Sequence, residues 1–287
     1  APPPAADPLP EPRFGAATLW SQAAARTRFE LRATLRNPVF AILLALGLAR
    51  AGQALWLALP AADPIPVLIE AFLLVPTVLA LFFAGELYWS EREHRVHDLI
   101  GSTPLPAAAL LLPKLLALCL IFVGLAAVSA LAALIVPALK GTAVPAVTTI
   151  LAGYVLPKSF DWILVGILAF FLQALAPNKL AGWGLFVLYL IASLALEFTG
   201  HTSPLYRYGE TPAYPLVGEG GLTYRLYWAS FALLLVTLTL ALAGPDPLPT
   251  RLHAAARRMK GMLGISAALP AATFLALLTY LLTSTRT

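Results

Sequence analysis

The stretch GELYWSEREHRVHDLIGSTPLPAAALLLPK, Gly85 to Lys114, decides how the rest of the chain is read. It gathers Glu86, Glu91, Arg92, Glu93, His94, Arg95, His97 and Asp98 between two long apolar runs. At about 3.6 residues per turn, Glu91 and Arg95 share a helix face, as do His94 and Asp98. Pro104 and Pro106 then break the helix, because proline lacks an N–H and disfavours a helical residue before it. A short charged helix cannot sit in hydrocarbon, so the stretch is expected to be an aqueous loop with a surface for a soluble partner. Lys114 is expected to open the next apolar run.

Composition makes those runs membrane spans. The 287 residues are 60% hydrophobic and 11% charged, against about 25% charged in soluble domains. The chain therefore reads as an all-α integral membrane protein with six to seven transmembrane helices. The spans are expected near 39–59, 65–88 with a kink at Pro76, 115–139, 162–176, 183–198, 226–243 and 262–282. Val144–Leu156 is too short to cross, since about 20 residues are needed, and reads as a shallow helix before the fourth span. Residues 1–17 are a Pro-rich linker, which looks like a segment that followed another part of a longer polypeptide. Residues 18–38 form a basic amphipathic helix with Arg26, Arg28, Arg32 and Arg36 set among Leu19, Trp20, Phe29, Leu31 and Leu35. It is expected to lie in the membrane interface. Residues 39–287 form the transmembrane domain, with the charged element at 85–114 and a Tyr-, Gly- and Pro-rich outer loop at 200–225.

Lysine and arginine counts orient the chain. One side collects Arg13, the four arginines of 18–38, Arg92, Arg95, Lys114, Lys179, Arg251, Arg257, Arg258 and Lys260. The other collects Lys140, Lys158, Arg207, Arg225 and Arg286. The first side, with the N-terminus and the 85–114 element, is expected to be cytoplasmic. Basic residues at span ends follow from topology, so the net charge of +5 does not point to nucleic acid.

Within the spans, Arg50, Glu70 and Gln173 stand out, because charge at that depth is costly. The short turn 60–64 makes the first two spans antiparallel neighbours, and Arg50 and Glu70 differ in depth by about 5 Å at 1.5 Å per residue. They are expected to pair if their faces meet; lipid snorkelling of Arg50 and a role in a substrate path stay open. Gln173 reads as an interhelical hydrogen bond. The loop tyrosines read as an interfacial belt, with contact to cargo or a partner left open. Cys119 reads as a packing residue, and no disulfide within the chain is possible. His94 and His97 lack further ligands, so no metal is expected. The sequence carries no G-x-x-x-x-G-K-[ST] and no H-E-x-x-H, so neither ATP hydrolysis nor peptidase catalysis is expected from this chain.

Gly85, Glu86, Glu91, Arg92, Pro104 and Lys114, in that order between two spans, resemble the cytoplasmic coupling element of type-2 ABC exporter permeases. Four further stretches, RTRFELRATLRNP (26–38), FLQALAPNKLAGW (171–183), HTSPLYRYGETPAYP (201–215) and the Tyr227-Trp228 pair, narrow the likeness. Together they are similar to the second permease half of large bacterial ABC permeases fused to a zinc aminopeptidase. LVGEGGLTYR (216–225) departs from that family's outer loop. The resemblance implies an elbow helix at 18–38 and a coupling helix carrying Glu86, Glu91, Arg92, Glu93 and Arg95. It implies separate ABC ATPase subunits that bind ATP and Mg, with no cofactor in this chain. It implies a second permease unit, an inner-membrane location, and an extracytoplasmic aminopeptidase domain. The rival expectation is a membrane scaffold that positions such a peptidase without transporting.

Overall fold

The structure, a computed structural model, describes residues 15–94, 107–201, 203–209, 221–244 and 248–284. All regular structure among them is helical. In chain order the elements are α1 (Ala16–Leu35), α2 (Pro38–Ala58), α3 (Pro64–Ala71), α4 (Leu74–Glu93) and α5 (Ala107–Lys140). Then come α6 (Val147–Leu175), α7 (Lys179–Phe198), α8 (Gly221–Ala241), α9 (Leu248–Met259) and α10 (Met262–Ser284). Among the described residues, seven spans are long and apolar enough to cross a membrane: α2, α3–α4 together, α5, α6, α7, α8 and α10.

Local chemistry sets several boundaries. Asn37 accepts from the Val39 N–H at 2.9 Å and starts α2 with Pro38 in its first turn. Asp63 does the same for Ile65 and Pro64 at α3. These are side-chain caps that satisfy one orphan donor each, with proline where no donor is needed.

Three expectations for the spans are corrected. The second span does not merely kink at Pro76; it is interrupted at Phe72–Leu73, between α3 and α4. Pro76 has no N–H to give the Phe72 carbonyl, and its ring crowds that carbonyl, so the break falls one turn earlier. The shallow helix and the fourth span are one continuous element, α6. A π-helical turn at Leu151–Val155 precedes Pro157 and absorbs the hydrogen bond that proline cannot make. Lys158 and Asp161 are carried inside it as an ion pair at 2.9 Å. The third span begins at Ala107 rather than after Lys114, so Lys114 sits two turns inside α5 and is fully buried.

The core lies where α4, α5 and α6 meet. Phe83, Leu118, Phe122, Leu125, Tyr154 and Phe170 are buried there. Gly166 of α6 lets that helix close on Phe122, since a Cβ would strike its ring; small residues bring membrane helices together in this way. α2 and α3 pack on α5, and α7 packs on α4 and α6. α8 and α10 form a second layer on the other side of α6. Beneath it lies an aromatic cluster of Tyr208, Tyr227, Trp228, Phe231 and Phe274.

Candidate functional site

The last two turns of α4 form a hub that ties together one end of the bundle. Glu91 pairs with Arg26 of α1 and with Lys114 of α5, the latter at 3.2 Å. Lys114 also donates to Ser90 Oγ at 2.9 Å. Glu86 and Glu93 both hold Lys179, the first residue of α7, at 2.6 and 3.0 Å. Trp89 donates its indole N–H to Gln173 of α6 at 2.8 Å. Arg92 lies over the Trp89 ring and donates to the Gly244 carbonyl after α8 at 2.5 Å. One helix end is thus bonded to α1, α5, α6, α7 and the segment after α8.

Two glycines create the room. A Cβ on Gly85 would run into the Trp183 indole nitrogen, and one on Gly182 into Gln173 Oε1. Their absence lets the Gln173 amide reach Trp89 through a buried seam.

α9 closes the same end. Arg251, 2% exposed, donates to the carbonyls of Ala174 and Ala176 at 2.8 and 3.0 Å. Arg258 donates to those of Ala241 and Ala243 at 3.0 and 2.5 Å. The final carbonyls of a helix have no partner within it. Here two arginines of one short helix satisfy the ends of α6 and α8.

α1 turns a polar stripe toward the hub. Thr27, Glu30 and Thr34 are buried, whereas Trp20 and Phe29 are 77% and 69% exposed. Glu30 lies 3.8 Å from Arg26. Burial pushes its carboxyl above the ordinary value of 4.5, with Lys114 and Arg26 opposing that shift and Glu91 adding to it.

The site residues expected from sequence therefore separate. Glu86, Glu91, Arg92, Glu93 and Gln173 are brought together in the hub. Glu91 and Arg92 are engaged within the chain rather than presented on a separate loop helix, because the charged turns continue α4 without a break. Arg95, with residues 95–106 including His97, Asp98 and Pro104, lies outside the described residues. So do the linker 1–14 and the loop residues 210–220.

The expected Arg50–Glu70 pair does not form. Both side chains are exposed on the outer faces of α2 and α3, and no ion pair between them occurs among the described residues. Neighbouring spans are not enough to pair them: each side chain is on an exposed face of its helix. Nor is the aromatic set only a belt. Tyr227 and Trp228 are buried, and Tyr208 donates to the Leu164 carbonyl at 3.0 Å while burial raises its hydroxyl pKa. Tyr206 remains exposed.

Sequence reasoning missed Lys114 as a buried cation and Arg251 as a cap. A signal for the second exists: Ala176-Pro177 ends α6, and carbonyls stranded before a proline need a donor from elsewhere. No protein-family model matches this chain, and neither does any curated protein.

Proposed function

We propose that the chain is the membrane-spanning permease unit of an ABC exporter, driven by separate ATPase subunits docked at the hub end. The observation that carries this reading is the ion pair that ties the end of α4 to the start of α5, the two helices that residues 95–106 connect in sequence. Glu91, Arg92 and Glu93 lie at the end of α4, and Lys114, Glu91's partner, lies two turns into α5. A push on that segment would load α4 and α5 together. Through Arg26, Gln173, Lys179 and the Gly244 carbonyl it would also load α1, α6, α7 and the end of α8. That is what a coupling element needs: a discrete input joined to several spans at once. In this reading α1 is the elbow helix, the hub end is cytoplasmic, and ATP and Mg are held by the partner.

The exposed faces of α2 and α7 support a second permease unit. Both helices flank α4, and only 22% and 11% of their span residues are buried. Arg50 and Gln53 sit on the exposed face of α2, where polar groups in hydrocarbon favour a protein neighbour.

The test is purification of the tagged chain from its native membrane, with ATP hydrolysis measured in the eluate. A variant with 95–106 replaced by a Gly-Ser linker of equal length is run beside it. Hydrolysis that co-elutes with the wild type and is absent from the variant supports the reading. An ATPase-free wild-type complex that retains a peptidase instead supports the scaffold role and overturns it.

A further inference from the structure

α1 and α5 leave between them an open groove of about 970 Å³. Trp20 and Ala23 line it from α1, and Ala109, Leu112, Leu116 and Cys119 from α5. The wall is mostly apolar, with Gln22, Arg26 and Thr27 as its polar members. Trp20, Leu112 and Leu116 are 77%, 42% and 52% exposed along its edges. Its volume lies at the upper end of the ~300–1,000 Å³ typical of small-molecule sites.

Three observations identify the occupant. The lining of α5 runs from Ala108 to Cys119, about 16 Å at 1.5 Å per residue. That equals one leaflet's share of a hydrocarbon core ~30 Å thick. The groove opens outward on a helix that carries an apolar window long enough to span a bilayer, and an acyl chain is the occupant that such an apolar opening suits. Finally, the exposed ionisable side chains of α1 and its C-cap are all cationic: Arg28, Arg32 and Arg36 follow the lining residues 19–27 along the chain and are exposed, while Glu30 is buried and Arg26 is bound to Glu91.

We infer that this groove is a binding site for an anionic phospholipid, with one acyl chain between α1 and α5 and the headgroup among the exposed arginines of α1. A chain seated there fills the space beside Ala23 and Thr27, next to Arg26. It thereby steadies α1 against the ion cluster that joins it to α4 and α5. The inference requires only that the seven helices cross a bilayer, and it holds or fails independently of ATPase coupling.

The test places the full chain in phosphatidylcholine vesicles. They contain a small fraction of a phosphatidylglycerol bearing a photoactivatable diazirine in mid-chain, and adducts are mapped by peptide mass spectrometry. Adducts on residues 108–119 should exceed those on 131–139 by about tenfold, a difference of about 1.4 kcal/mol. Leu131, Ile135 and Leu139 are exposed on the same helix and provide the reference. Unlabelled phosphatidylglycerol should compete and phosphatidylcholine should not. Ala109→Trp, which fills the groove, should lose the excess. Arg28→Gln combined with Arg32→Gln and Arg36→Gln leaves the groove intact and should remove the headgroup preference. Equal labelling of the two stretches would mean annular lipid only and overturn the site. Equal competition by phosphatidylcholine would overturn the anionic assignment. Labelling of 131–139 with none on 108–119 would mean that protein covers the groove, and would overturn both.

Discussion

Lys114 and Glu91 should respond unequally to substitution. At 3.2 Å their attraction is about 5 kcal/mol at an effective dielectric of ~20, most of which is offset by desolvation of the two charges. The two ends of the pair differ in what they leave behind. Glu91→Leu strands a fully buried ammonium whose remaining bond is to Ser90 Oγ. Leaving a buried charge unpaired costs about 3–5 kcal/mol. Lys114→Met removes that ammonium and leaves Glu91, 19% exposed, still paired with Arg26. The loss is then nearer one charge-assisted hydrogen bond, about 1.5–3 kcal/mol. The double variant has no stranded ammonium and should be more stable than Glu91→Leu alone. Equilibrium unfolding in mixed micelles reads all three. Lys114→Met as damaging as Glu91→Leu, or a double variant equal to the sum of the singles, would refute the cluster.

Gly182→Ala should cost about 1–3 kcal/mol by overpacking, because its methyl meets Gln173 Oε1 and breaks the Trp89 bond; adding Gln173→Ala should restore part of the loss in thermal unfolding. Glu30 holds its proton more tightly folded than unfolded, since its pKa is raised above 4.5. Its contribution to stability should therefore grow as pH falls through the raised value and level off below 4.5. The difference between wild type and Glu30→Gln across pH 4–8 isolates that contribution, and an unchanged difference would contradict it. Arg251→Met frees the Ala174 and Ala176 carbonyls and should loosen α9, so that trypsin cuts at Arg257 and Arg258 faster than in the wild-type chain.

Hydropathy made the number and order of the spans legible, because each crossing needs its own apolar run whatever its neighbours do. Ends and interruptions were less legible. Lys114 looks like an aqueous boundary to any reading that prices a lone ammonium in hydrocarbon. Its place inside α5 depends on Glu91, which reaches it from the preceding span. The Glu86-to-Glu93 run was recognisable as a concentration of charge, but its continuity with α4 was not, because two helical turns of charge resemble a loop helix when their partners are unknown. Arg50 and Glu70 show the opposite limit. Rise per residue speaks only to depth, whereas the rotation that leaves both side chains exposed depends on how α2 and α3 pack. Gln173 was read as an interhelical hydrogen bond, and it is one; naming Trp89 as its partner required Gly85 and Gly182 to be seen on either side of it.

The most direct measurement is photocrosslinking in intact cells from a benzoylphenylalanine placed at His94, the exposed residue where α4 ends. The adduct is identified by mass spectrometry. The account predicts a cytoplasmic protein carrying the phosphate-binding G-x-x-x-x-G-K-[ST] loop. An adduct with an extracytoplasmic protein, or with lipid alone, would contradict it.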